Sequence, residues 1–181
     1  AEAFQDDPAV AFMMPDSADR RRRLPRMFAW LYDETMEHGY ALGTPGCEVV
    51  TLWRAPGKVH HHSPIWHPHR LARLLWIFGP AILRAARVGD AIDANVPAGE
   101  NWHYLRYAGV RPDCQGKGLG GLAIRHGMGE AEAAGLGTLL ETATLANVGI
   151  YLRLGFNVTH EYDVPGTAGP HFWAMRYHGA A

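Results

Sequence analysis

Glycine is concentrated around a lysine in one short stretch, Gln115-Gly116-Lys117-Gly118-Leu119-Gly120-Gly121. It follows a strand-like run, residues 103–110, and opens a helix-like run, residues 119–134. A helix start presents unpaired backbone N–H groups and a partial positive charge. Glycines let a phosphate approach that backbone without a Cβ in the way. The stretch is therefore a candidate pyrophosphate cradle; without a ligand it is a glycine-rich turn. A Walker loop needs Gly-x4-Gly-Lys-Ser/Thr. Here Gly118 follows Gly116-Lys117, and Arg111 holds the first glycine's place. A dinucleotide fingerprint is matched literally by Gly116, Gly118 and Gly121, with Glu141 at a tolerable distance for a ribose contact. In that motif, however, the turn follows its strand almost directly, and here residues 111–115 intervene.

The run from Val110 to Gly120, with Gln115, Gly118 and Gly120 at its defining positions, resembles the acetyl-CoA motif Arg/Gln-x-x-Gly-x-Gly/Ala of the GNAT acetyltransferases. Leu140-Glu141-Thr142, then Asn147, Tyr151, Gly155 and Phe156, follow in that family's order. The segment 103–178 looks closest to puromycin N-acetyltransferase-like members. The resemblance implies an acyltransferase that moves acetyl from acetyl-CoA to a primary amine by direct attack in a ternary complex. It assigns the phosphates to Gln115, Gly116, Lys117, Gly118, Leu119 and Gly120. It assigns the pantetheine arm to Asn147 and to the strand backbone at Ala108 and Val110. Lys117 helps neutralise phosphate, or else faces solvent. Asn147 also suits a helix N-cap.

An alkylamine with a pKa of roughly 10.4 is only about one part in a thousand neutral near pH 7. A positioned base recovers on the order of 10²–10⁴ in rate. Glu141, ending a strand, is the leading candidate; its other reading is a structural carboxylate bonded to backbone or histidine. His103 and His171 are weaker candidates. Departing thiolate, with a pKa of about 8.5, benefits from a donor. Tyr151 holds the family's general-acid position, or else packs on its helix face. Cys114 is poorly placed as a nucleophile.

His60, His61, His62, His67 and His69 invite a metal reading, but no cysteine or carboxylate accompanies them, and no metal is expected. Trp53, Trp66, Trp76, Phe78 and Trp102 are candidates for core, with one or two facing a ligand. Cys47 and Cys114 form no CxxC pair, which fits a reducing cytoplasm. The 181 residues carry a formal net charge of −1 with 48% hydrophobic and 19% charged residues, which argues against nucleic-acid or membrane partners. Arg20–Arg23 reads as a solvated helix face. A small-molecule amine is the expected partner, and a homo-oligomer is compatible with the sequence.

The elements needed to position these groups follow from periodicity. Helices are predicted from Ser17, with Pro25 at a start or kink, and over 69–78 and 80–95. Strands are predicted over 47–54, 103–110, 138–142, 156–164 and 171–177, with further helices over 119–134 and 147–154. Together with the resemblance this implies one α/β domain, residues 1–181, with a mixed, mostly antiparallel sheet flanked by helices. The sheet is expected to splay between its central parallel strands, 103–110 and 138–142. Residues 1–102 form the acceptor side and 103–178 the acetyl-CoA side. The family's opening strand is expected to be missing, since the chain starts at Ala1. The alternatives are a non-catalytic CoA-binding sensor or partner domain, and a protein N-acetyltransferase.

Overall fold

Two aspartates start the first helices. The structure, a computed structural model, describes residues 1–60, 68–97, 102–166 and 168–179. Asp7 Oδ1 accepts from the N–H groups of Ala9 and Val10, each at 3.0 Å, and opens α1 (Pro8–Met13). Asp16 accepts from the N–H of Asp19 at 2.7 Å and opens α2 (Ser17–His38). Leu24, Met27 and Leu31 are the buried stripe of α2, and Pro25 stands inside it. Gly39, which reads as a stop signal, does end α2. It also begins an edge strand, β1 (Gly39–Gly43), that pairs antiparallel with β2 (Val49–Arg54).

Next come α3 (Pro68–Phe78) and α4 (Ile82–Asn95), joined by a 3₁₀ turn at Gly79–Ala81. The remaining order is β3 (Trp102–Val110), α5 (Leu119–Ala133), β4 (Gly137–Thr142), α6 (Leu145–Arg153), β5 (Asn157–Asp163) and β6 (His171–Tyr177). The six strands lie in the order β1-β2-β3-β4-β6-β5, and every neighbouring pair is antiparallel except β3 with β4. This is the mixed, mostly antiparallel sheet expected. The parallel pair joins only at Trp102↔Gly137, His103↔Thr138 and Tyr104↔Leu139. Beyond these positions β3 stays with β2, and β4 stays with β6. The sheet opens between them, as anticipated.

Residues ahead of α2 fold as a 3₁₀ turn and α1, and Phe4 packs on Phe28 and Tyr107 at ring separations of 4.8 and 5.9 Å. One face of the sheet carries the core of α1, α2, α3 and α4, with Leu24, Leu31 and Ile77 fully buried. The other carries α5 and α6 over Trp53, Leu105, Leu140 and Met175. Trp53 is 0% exposed, and its ring runs directly under α5 at Gly127. A Cβ on Gly127 would lie 2.3 Å from Trp53 Cζ2, so this helix needs a glycine despite its poor helix propensity.

Gly127→Ala therefore sets a helix-propensity gain of about 1 kcal/mol against an overpacking cost of about 1–3 kcal/mol. With a rigid ring at that separation the clash wins. Denaturant unfolding should show a net loss of about 1–2 kcal/mol; equal or greater stability would mean that α5 does not rest on Trp53.

Candidate functional site

Where β3 leaves β4, one edge of β3 loses its partner. The Arg111 N–H donates to the Glu48 carbonyl at 2.8 Å. Hydrogen-bonded positions alternate along an antiparallel ladder. Gly109 thus turns its backbone toward β2, and Ala108 and Val110 turn theirs toward the opening. Gln115 Nε2 donates to the Val110 carbonyl at 3.2 Å. A bulge adds a second effect. Leu52 pairs with Tyr107 but Trp53 with Leu105, so Arg106 is the extra residue. Leu105 and Ala108 then pack on the α5 side, while Arg106 and Tyr107 meet α1 and α2.

A cavity of about 400 Å³ passes through this opening. Its walls include Leu105 to Ala108 of β3, Glu141 and Thr142 of β4, and Asn147 and Tyr151 of α6. It continues beneath α1, α2, α3 and α4. Glu141, Asn147, Tyr151 and Ala108, four residues singled out from the sequence, thus share one space.

Glu141 keeps part of its surface on this cavity, while its Oε2 atom is shut off from solvent and has no hydrogen-bond partner among the described residues. Burial pushes its carboxyl up to about 7; the Tyr104 hydroxyl works against that rise, Asp93 adds to it, and Arg176 opposes it. A carboxyl near 7 takes protons at neutral pH far better than an ordinary one. Tyr151 is pushed up to about 12 by burial and by the charge of Asp7, so at neutral pH it holds its proton. Its ring meets Phe156 at 5.9 Å. Asn147 does not cap α6, because Thr144 holds the N-cap position and Asn147 is the third helical residue. Asn147 lines the cavity instead.

The glycine loop leads into α5. Gly118 is the N-cap residue at φ 78° and Gly116 stands at φ 74°, conformations that favour glycine. A Cβ on either would meet nothing within 4 Å, so the space above this backbone is open. The first intrahelical bond runs from the Leu122 N–H to the Gly118 carbonyl at 3.1 Å. By helix geometry, the N–H groups of Leu119, Gly120 and Gly121 have no intrahelical acceptor. Gly120 lies against Val110, which joins the helix start to the open edge of β3. Lys117 Nζ donates to the Asp113 carbonyl at 3.1 Å and so braces the loop.

Other sequence candidates sit elsewhere. His103 is buried on the α5 side, with Nδ1 3.2 Å from the Tyr40 hydroxyl, and burial lowers its pKa. His171 lies between Asp163 and Glu161, at 2.9 and 3.0 Å, on the β5–β6 hairpin. Neither lines the cavity. Of the described aromatic candidates only Phe78 does. Trp76 is 58% exposed beneath Arg26, and Trp102 packs with His178 and Arg176. Trp66, His61, His62 and His67 lie outside the described residues. His60 Nε2 is 3.3 Å from the Pro97 carbonyl. Cys114 is buried beside Arg111. Sequence reasoning missed Trp30, Asp7, Asp93, Tyr104 and Arg106, all of which line the cavity. Arg106, a charge within an otherwise apolar strand, was the one visible signal.

The raised Glu141 carboxyl has a stability consequence. The folded chain keeps this proton between the ordinary 4.5 and about 7, where the unfolded chain releases it. The contribution is complete below 4.5 and is lost as pH rises through about 7. Glu141→Gln cannot ionise. The stability of the parent relative to this variant should fall by about 3 kcal/mol from pH ~4.5 to ~8. Denaturant titrations across that range check it, and a flat difference would show an ordinary carboxyl.

Comparison with known proteins adds a likeness over part of the chain. Residues 81–156 match the acetyltransferase (GNAT) family model. The mycothiol acetyltransferase of Streptomyces coelicolor is 36% identical over 95 residues, which are 49% of this chain and 30% of that protein. The chain thus spans under a third of that curated relative's length. A Corynebacterium glutamicum structure, described as histone acetyltransferase HPA2 and related acetyltransferase, superposes with a TM-score of 0.65 at 22% identity. That match covers 99% of this chain and 87% of the other. Arylalkylamine N-acetyltransferase 2 from Aedes aegypti gives 0.63 at 12% identity, covering 98% and 91%. At these identities the structures share a fold. The matched segment contains the glycine loop, Glu141, Asn147 and Tyr151, and over that segment the chain is similar to the GNAT acetyltransferases.

Proposed function

We propose that this chain transfers the acetyl group of acetyl-CoA to the primary amine of a small molecule, by direct attack in a ternary complex. The observation that supports it is the meeting of Glu141, Asn147 and Tyr151 around one cavity, at the place where β3 and β4 part. The fit of the cosubstrate rests on the cradle at Gly116 and Gly118, where added Cβ atoms would enter open space. Gln115, Gly116, Lys117, Gly118, Leu119 and Gly120 would hold the pyrophosphate. The outward-turned backbone of Ala108 and Val110, with the Asn147 amide, would hold pantetheine as an added strand. Gln115 would have to release the Val110 carbonyl for that.

Glu141 takes a proton from the amine as its nitrogen bonds to the acetyl carbon. The carbon–sulfur bond breaks, and Tyr151 gives its proton to the sulfur. Return of the Glu141 proton to Tyr151 closes the cycle, leaving amide and free thiol. A cavity of about 400 Å³ roofed by α1 to α4 suits a small acceptor rather than a protein tail.

Release of free thiol from acetyl-CoA in the presence of an amine panel is the direct test. Bound acetyl-CoA with no thiol release from any amine would favour a non-catalytic CoA-binding domain. Tyr151→Phe should lower kcat by about a hundredfold while the acetyl-CoA KM stays within about twofold. Unchanged kcat would remove Tyr151 from the reaction. Gly118→Asp puts a carboxylate at the helix start and should weaken acetyl-CoA binding by about tenfold or more, read by calorimetry. Equal affinity would place the phosphates elsewhere.

A further inference from the structure

Building on the reading of the main cavity as the acceptor's site, we propose that the N-terminal half of α3 is a flap over it, latched to α2 by two ion pairs and opened to admit the amine. α3 is gripped unevenly along its length. At its C-terminal end Ile77 and Phe78 are buried. Arg23 Nη1 donates to the Ile77 carbonyl at 2.8 Å, and the Arg26 guanidinium lies 4.1 Å from the centre of the Trp76 ring. A cation at the last carbonyls of a helix also suits the negative end of its dipole. The turn beyond is fixed as well. Gly79 stands at φ 51°, and a Cβ there would lie 3.0 Å from both terminal nitrogens of Arg23.

The other half is held by charge. None of residues 68–75 is buried. Arg73 Nη2 is 2.6 Å from Asp33 Oδ2, and Arg70 Nη2 is 3.2 Å from Glu37 Oε1. The two acids share one face of α2 and the two arginines one face of α3, by their spacing of four and three residues. All four side chains are between 32% and 55% exposed. Ion pairs that wet hold weakly and are screened by salt.

This loosely held half is also a cover. Leu71 and Leu74 line the cavity, and Leu71 is 45% exposed, which sets it at the rim. Phe78 lines the cavity from the gripped end. Opening residues 68–75 therefore uncovers the cavity while Phe78 keeps its packing. The other roofing helices carry buried side chains in their middle, such as Val10 in α1, Leu24 and Leu31 in α2, and Val88 in α4. Of the four helices, α3 gives way at the least loss of packing.

The test places Asp33→Cys and Arg73→Cys in a Cys47→Ser chain, since Cys47 is exposed and Cys114 is buried. A short bifunctional methanethiosulfonate joins the pair, and dithiothreitol releases it. Acetylated amine is read by mass spectrometry over the amine panel, phenethylamine and spermidine included. Joining should lower amine kcat/KM by about tenfold or more while acetyl-CoA affinity stays within about twofold, and release should restore turnover. The same linker between Arg26→Cys and Trp76→Cys, at the gripped end, should leave turnover within about twofold.

Amide hydrogen exchange reads the motion without turnover. The N–H groups of residues 72–75 have intrahelical acceptors. They should nonetheless exchange about tenfold or more faster than the middle of α4, and Arg70→Ala with Arg73→Ala should speed them by about threefold more. Full turnover in the joined chain would overturn the flap and leave acetyl transfer standing. So would exchange at 72–75 as slow as in α4, and that measurement on the parent decides even if the cysteine variants fold poorly. Absence of acetylated product with every amine, while acetyl-CoA still binds, would sink the acetyl-transfer reading itself.

Discussion

Two parallel strands that share only three paired positions cannot satisfy each other's backbone beyond them. β3 is held from one side by β2, and β4 from the other by β6, so each follows its own outer partner after Tyr104 and Leu139. The opening is thus maintained by pairing on both flanks and not by the loss of a strand. Unpaired strand edges demand partners. Here the edge carries the outward backbone of Ala108 and Val110, and it ends beside the bare start of α5. An extended polar arm with an anionic end is the ligand shape that answers both needs at once. Glu141 sits on the opposite lip, and α6 brings Asn147 and Tyr151 to the same rim.

The β3 wall of that opening is braced by buried charge. Glu34 of α2 is 4% exposed and lies 3.3 Å from Arg54 of β2 and 2.7 Å from Arg106 of β3. Burial works against the Arg106 charge, but Tyr107 and Glu34 outweigh it, and its pKa rises. Taking these ions out of water is expensive, so the arrangement is weak evidence for extra stability. Its geometry does fix where the bulge sits. Arg106 is the extra residue, and its bond to Glu34 points it at α2, with Tyr107 following onto the same side. Without that turn, the alternation of β3 would send Tyr107 to the α5 side and change the cavity wall.

What the sequence made legible was local. The glycine loop reads directly because its chemistry is that of the backbone, and glycine reports where the backbone must be bare. Glu141, Asn147 and Tyr151 were reached through their order after that loop, a family pattern, and the parting of the strands through the same resemblance. Asp93, Glu34 and Arg106 were not legible, because their partners lie dozens of residues away and no spacing rule connects α4 to β4 or α2 to β3. Asn147 read equally well as a helix cap; α6 starts two residues earlier than expected, with Thr144 at its N-cap position, and that removes Asn147 from the cap. The edge strand β1 escaped because Tyr40-Ala41-Leu42 lies between glycines and is too short to show alternation. Aromatic size alone did not separate core from cavity, since Trp53 fills the core under Gly127 while Trp30 and Phe78 meet across the cavity wall at 6.3 Å.

One physical cause tunes both proposed proton carriers. Burial raises Glu141 to about 7 and Tyr151 to about 12. For the carboxyl this helps, because it becomes a base matched to neutral pH. For the phenol it sets a constraint. A free thiol near 8.5 is a stronger acid than a phenol at 12 by roughly 3.5 units, so protonating a solvated thiolate from Tyr151 would run uphill by about 5 kcal/mol. The transfer becomes level only if the sulfur is as poorly solvated as the hydroxyl, since burial raises a thiol as it raises a phenol. The same cavity must therefore exclude water from the leaving sulfur as well as from Tyr151. On the proposed mechanism, the apolar packing of α1 to α4 over the opening would be part of the chemistry, for it would bring donor and leaving group to comparable proton affinity.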